Sequence, residues 1–336
     1  MVWLKLLLCV AIILFAGTKL ARYGDAIAEK TGLGRIWIGL VLLATITTMP
    51  ELVTGVSSAA LVGLPDLALG TLLGSCMFNL TILALLDVLY RPAPILSRAS
   101  LRHIAPASMG ILLIAIAAGS IFAWERFTGL PLGWVGIASI IIIIVYLIGT
   151  RQMFRWEQKH QLASLEAAPL KYEEMPTKTV YLKFAVAAIA IIAAGIWLSF
   201  VGDEIAETTG WGATFVGSLF LAITTSLPEL TVTIAALRLG AIDMAVADIL
   251  GANMLDMVVI TWADLFYTPG PILAMVSNAH LTTAMVAVIM SLVVIVGLRF
   301  RQQRKTFIVI SWYGPVLIGL YILGAYALFT SGISLG

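Results

Sequence analysis

Two glutamates, Glu51 and Glu229, lie deep within apolar stretches of the chain, and each directly follows a proline. A lone ionised side chain at the centre of a membrane helix costs about 2.5–3.5 kcal/mol on insertion scales, so such acids mark ion pathways by default. Pro50 and Pro228 lack an N–H, which kinks the helix and deprives the carbonyls of Ile46 and Thr224, four residues earlier, of their usual donors. Thr47 precedes Glu51 by four residues and Thr225 precedes Glu229 likewise, so hydroxyl and carboxylate share a helix face. Ser75 and Asn79 have the same spacing beside the helix-loosening Gly74, and Ala252 and Asp256 take those places beside Gly251. These are carboxylates, hydroxyls, an amide and loosened carbonyls, with no histidine or thiolate among them. Oxygen-only donors suit hard cations such as Ca²⁺, Mg²⁺ and Na⁺ rather than zinc or copper. Glu51, Glu229 and Asp256 together could neutralise a divalent ion with one charge left over, or hold several monovalent ions. Competition of two ions for one set of carboxylates is a sufficient physical basis for exchange.

Something must carry these residues at membrane depth, and the composition supplies it. Of 336 residues, 61% are hydrophobic and 11% charged, against roughly 25% charged in a soluble domain. Apolar runs such as Trp3 to Ala21, Phe184 to Phe200 and Leu281 to Leu298 approach the ~20 residues that cross a bilayer core. Charged and Gly/Pro breaks divide the chain into ten candidate spans, at 2–22, 33–62, 66–89, 104–123, 132–151, 179–201, 211–239, 242–267, 279–298 and 307–330. Met1 to Leu20 reads as a retained helix rather than a cleaved signal. The expected units are residues 1–152, a polar cytoplasmic linker at 153–178, and residues 179–336. The loops after odd-numbered spans hold nearly all the lysine and arginine, which places both termini outside. Cys9 and Cys76 lie in apolar segments and suggest neither a disulfide nor a thiolate metal site.

The two units repeat one another. The stretch from Gly24 to Gly32, GDAIAEKTG, returns from Gly202 to Gly210 as GDEIAETTG. Thr47-Thr48-Met49-Pro50-Glu51-Leu52 returns as Thr225-Ser226-Leu227-Pro228-Glu229-Leu230, and Gly74-Ser75-Cys76-Met77-Phe78-Asn79 as Gly251-Ala252-Asn253-Met254-Leu255-Asp256. Five spans per copy, an odd number, send the second copy into the membrane from the opposite side. The fold expected is an all-α membrane protein of ten helices in two inverted five-helix repeats, whose symmetry brings the glutamates together near the midplane.

The paired T-[TS]-x-P-E-L and G-[SA]-x-x-x-[ND] motifs resemble the two alpha-repeats of the calcium/cation antiporter superfamily, closest to its sodium/calcium exchanger branch. The resemblance covers essentially the whole chain. It implies an ion-binding core of the second, third, seventh and eighth helices, against which the first and sixth slide to alternate access. By matching positions it implies Glu51 and Glu229 as central ligands, with hydroxyls from Thr47, Thr48, Thr225, Ser226 and Ser75. The carbonyls of Ala44 and Ala222 would face ions, and Asn79 and Asp256 would complete the centre. The proline argument points instead to Ile46 and Thr224 as the freed carbonyls. The family pattern has GSN in both repeats. Here Cys76 stands for an amide that supports the helix break, and Ala252 removes a hydroxyl expected at a sodium site.

The resemblance implies an antiporter exchanging calcium for sodium; the alternative is a proton-coupled divalent cation exchanger on the same fold, with Glu51 and Glu229 releasing protons as metal binds. HExxH and GxGD signatures are absent from the sequence, so no enzyme is expected. The expected partners are calcium and sodium ions and the lipid bilayer, with no nucleic acid and no cofactor beyond the transported ions. A monomer in a prokaryotic plasma membrane is expected. Asp25 and Asp203 read as caps or loop anchors, and Asp66 and Asp243 as helix N-caps. Asp87 and Asp264 are open to a pathway role. His103, His160 and His280 read as surface residues at membrane edges or in the linker.

Overall fold

The computed structural model describes residues 1–31, 44–123, 133–161 and 175–333. These are helical almost throughout. The long elements are α1 (Val2–Thr31), α2 (Met49–Val62), α3 (Pro65–Leu89), α4 (Ile104–Ala123), α5 (Ile137–Gln161), α6 (Thr177–Thr209), α7 (Ala213–Thr225 and Leu227–Arg238), α8 (Ile242–Phe266), α9 (Ala279–Phe300) and α10 (Tyr313–Ile333). Among the described residues eight helices are long and apolar enough to cross a membrane, and a ninth if the two parts of α7 form one span. The helix α2 is shorter, and the start of the expected span 33–62 lies outside the described residues.

The helices α3 and α8 form the centre. In their most apolar stretches 72% and 83% of residues are buried, against 22% in α5. A helix that is apolar all round belongs inside a bundle, and both also bury polar side chains at mid-length. Outward-facing Leu4, Phe15, Leu147, Ile189 and Leu323 are exposed and form apolar surface fit for lipid.

Outside this centre α1 and α6 pack along each other. Lys5, near the start of α1, pairs with Glu204 near the end of α6 at 2.5 Å. At the other end the Lys183 ammonium lies 5.7 Å from the Tyr23 ring centre. The two helices therefore run antiparallel. Each leans on the opposite half through a glycine. A Cβ on Gly17 would lie 2.6 Å from Pro228 Cγ, and one on Gly195 would lie 2.9 Å from Val53 Cγ1. Only hydrogen fits at either place.

Several elements differ from the expectation. The GD-x-IAE motifs are not loops: α1 continues to Thr31 and α6 to Thr209. Asp203 is thus a helix-interior residue rather than a cap, and the side chain of Asp25 lies outside the described set. Neither α3 nor α8 loosens or breaks at Gly74 or Gly251, since both run unbroken for 25 residues. Residues 307–312 are not helical, and α10 begins only at Tyr313. Asp87 accounts for that late start by holding the preceding chain in an extended turn, accepting from Ser311 N at 2.7 Å and from Tyr313 Oη at 2.5 Å.

Candidate ion-binding site

Breaks in α2 and α7, rather than in α3 and α8, create the site. Thr48 (φ −75°, ψ 1°) and Ser226 (φ −86°, ψ 9°) leave helical geometry at equivalent places. Pro50 and Pro228 follow two residues later, and α7 bends by 42° at its break. Helical geometry is interrupted two residues before the proline in both copies, and a glutamate sits in the first turn after each break.

Glu51 and Glu229 are 1% and 0% exposed. Glu51 Oε1 accepts from Ser226 Oγ at 2.9 Å, across the two halves. Among the described residues no hydrogen bond is made to Glu51 Oε2 or to either carboxylate oxygen of Glu229. Neither glutamate belongs to an ion pair among the described residues. Glu229 stands on the second part of α7, which packs against α8, the helix of Asp248 and Asp256. Buried glutamates with which no basic side chain pairs among the described residues are suited to a cation from outside.

The hydroxyls and amides gather on the same helices. Ser75 Oγ and Thr225 Oγ1 lie 3.5 Å apart, joining α3 to α7. Their approach depends on Gly74, because a Cβ there would be 2.5 Å from the backbone of Ser218. That is the role of the glycine in a continuous helix. Thr48 Oγ1, Asn79 Oδ1 and Asp256 Oδ1 are buried acceptors without partners. Thr47 Oγ1 donates to Ala44 O at 3.2 Å, and Thr225 Oγ1 to Ala222 O at 3.2 Å. Those two carbonyls also accept from Thr48 N at 2.9 Å and Ser226 N at 3.1 Å. Ala44 and Ala222 thus stand at the breaks, but their carbonyls already carry two donors each.

The third and eighth helices meet at residues equivalent by repeat. Asn253 Nδ2 donates to Cys76 O at 3.2 Å, and Cys76 Sγ reaches Asn253 O at 3.7 Å and Asp256 Oδ2 at 3.6 Å. Cys76 therefore fastens α3 to α8 rather than supporting a helix break. Among the described residues no three His, Cys, Asp or Glu side chains gather closely enough to hold a metal by themselves. An ion here needs the hydroxyl and amide oxygens as well as the acids.

A further buried acid lies outside the motifs and, unlike Asp87 and Asp264, makes no hydrogen bond among the described residues. It is Asp248, on α8, which is 1% exposed. The rule that singles out Glu51, an acid inside an apolar span, applies equally to it. It is hidden from a repeat comparison because the first copy has Thr71 there.

The remaining polar residues are anchors. Asp66 and Asp243 make no capping bonds to their own helices. Asp66 Oδ1 instead accepts from Ser277 N at 2.7 Å and lies 3.0 Å from His280 Nε2. Asp243 Oδ1 accepts from Ser100 N at 2.6 Å and lies 2.9 Å from His103 Nε2. His103 and His280 are accordingly buried partners of acids in the opposite half, not surface residues; the His160 side chain lies outside the described set. Asp87 accepts from Ile95 N at 2.8 Å, and Asp264 from Ile272 N at 2.6 Å and Ser139 Oγ at 2.6 Å. Both acids are spent on loop anchoring rather than facing a pathway.

Comparison with known proteins agrees with this arrangement. The family model described as sodium/calcium exchanger protein matches residues 1–150 and 179–333. The inner membrane protein YrbG of Escherichia coli is 27% identical over 265 residues, 78% of either chain. Two solved structures share the fold alone. The sodium-calcium exchanger NCX_Mj has a TM-score of 0.62 at 21% identity, covering 97% of this chain and 99% of that one. The H⁺/Ca²⁺ exchanger CAX has a TM-score of 0.72 at 15% identity, covering 99% and 86%. With paired Pro-Glu breaks at the centre of its bundle and a family match over nearly its whole length, the chain belongs to the sodium/calcium exchanger protein family.

Proposed function

We propose that this protein is a secondary antiporter that exchanges calcium for sodium at a carboxylate site midway through the membrane. The observation that carries the reading is the pair of buried glutamates, which among the described residues are held by no basic side chain and together offer three oxygens without donors. Thr47, Thr48, Thr225, Ser226, Ser75, Asn79 and Asp256 supply the further oxygens that an ion between them needs, and the strand of backbone at Ala44 and Ala222 positions the hydroxyls. Hydroxyls favour sodium coupling, since proton transfer would not require them.

Ten spans in two inverted repeats accompany this function. Antiparallel α1 and α6 support it, as do the meeting of equivalent residues Cys76 and Asn253 and a family match in two blocks separated by residues 151–178. Sliding of α1 and α6 over the core would open the site to each side in turn, about the glycine contacts at Pro228 and Val53. Both termini would lie outside a prokaryotic plasma membrane, with the chain acting as a monomer and residues 153–178 as a cytoplasmic linker.

Proton coupling is the second reading, favoured by Ala252, which withholds a hydroxyl from α8, and by the fold likeness to CAX. Calcium-45 uptake into sodium-loaded proteoliposomes separates the two. Uptake that requires the outward sodium gradient and vanishes in Glu51→Gln supports sodium exchange. Uptake indifferent to sodium but driven by a pH gradient replaces it with proton coupling.

A further inference from the structure

Asp248 is a buried acid that the motifs leave without a role. It is 1% exposed, and among the described residues neither a donor nor an acceptor reaches either oxygen. Neither protonation state is satisfied by those residues, because an ionised carboxylate needs donors and a carboxylic acid needs an acceptor as well. The equivalent Thr71 in the first half has no such need, since its hydroxyl donates to Leu67 O at 2.8 Å.

Its position gives the acid a use. Asp248, Ala252 and Asp256 follow at intervals of four, on one face of α8. Asp248 is thus one turn from the position that lacks a hydroxyl, and two turns from an acid of the site. Gly251, on the adjoining row, is where α8 meets the chain just before the break that precedes α2, a Cβ there lying 3.3 Å from the Ala44 side chain. Glu229, whose two oxygens are also unpartnered among the described residues, stands on the second part of α7, which packs against α8. Two unpartnered carboxylates carry the charge that neutralises one divalent cation.

We propose that Asp248 is a further cation-binding residue, which together with Glu229 takes a hard divalent cation on the α8 side of the site. The proposal rests on the antiporter reading above. It gives the second half of the molecule an acidic ligand where the hydroxyl at position 252 is lost, and makes the two halves chemically unequal.

The test uses the full-length protein in detergent and in proteoliposomes, with Asp248→Asn, Asp248→Glu and, as reference, Glu51→Gln. Thermal unfolding is followed in chelator and through a Ca²⁺ titration, beside calcium-45 uptake. Asp248→Asn is expected to unfold in chelator at or above the wild-type temperature, because an uncompensated charge has gone. Its Ca²⁺ midpoint for stabilisation and for uptake is expected to rise about tenfold or more, with Asp248→Glu between the two. Earlier unfolding in chelator, aggregation, or an unchanged Ca²⁺ midpoint would each overturn the assignment. Glu51→Gln keeps the two proposals apart. If it abolishes uptake while Asp248→Asn matches wild type, only the role of Asp248 fails; if it leaves uptake intact, the antiporter site itself fails.

Discussion

The Ser226 hydroxyl donates to Glu51 Oε1 at 2.9 Å, whereas the equivalent Thr48 hydroxyl, also buried, makes no hydrogen bond among the described residues. The two halves share a sequence motif but hold their glutamates differently. Ser226→Ala should therefore cost more than Thr48→Ala in chelator, by about 1.5–3 kcal/mol for a bond to a charged group. Differential thermal unfolding of the two variants measures this, and equal losses would contradict the asymmetry.

Removing either central charge should stabilise the ion-free protein and disable the loaded one. Glu229→Gln relieves an uncompensated buried carboxylate, so its unfolding temperature in chelator should equal or exceed wild type. Calcium-45 uptake should fall at least about tenfold. A variant that loses stability in chelator would mark Glu229 as structural.

Ala252→Ser restores a hydroxyl on the α8 face that carries Asp256. Its steric demand is one oxygen atom at a position 1% exposed. Sodium dependence of calcium uptake should become steeper or appear at lower sodium, by roughly the 1 kcal/mol, about fivefold, of one added hydrogen-bonding oxygen. A sodium response identical to wild type would mean that this face does not meet sodium.

The two cross-half anchors should not weigh equally. The Asp66 side chain is 33% exposed beside a fully buried His280, while the Asp243 side chain is 61% exposed. Solvent screens the second pair. Asp66→Ala should lower stability by about 1–3 kcal/mol, leaving Ser277 N and His280 without an acceptor, and Asp243→Ala by less. Chemical denaturation of both variants at one pH ranks them.

Asp87 gathers the backbone of Ile95 and Ser311 and the Tyr313 hydroxyl on one buried carboxylate. Asp87→Ala would orphan all three at once. A loss of about 3–5 kcal/mol follows, comparable to breaking a buried charge network. Protein that remains folded at low temperature should still transport, which a pathway role for Asp87 would forbid.

Much of this was decided within single helices and is therefore written in the sequence. Glu51 and Glu229 in apolar runs, proline directly before each, and a hydroxyl four residues upstream are local facts, and they dictate buried acids at kinked helices wherever the helices end up. The doubled motifs likewise announce two equivalent units. What only the tertiary structure decided are contacts between residues far apart in the chain. Asp66 and Asp243 look like caps until packing sets each beside a histidine of the other half, and Gly74 looks like a weak point until α7 is found against it. Thr71 and Asp248 share a place in the repeat, yet only the packed structure shows that one is satisfied by its own helix and the other by none of the described residues. A helix fixes the face on which a side chain stands, through its own backbone hydrogen bonds; what stands opposite depends on where other helices pack, and no local interaction encodes that.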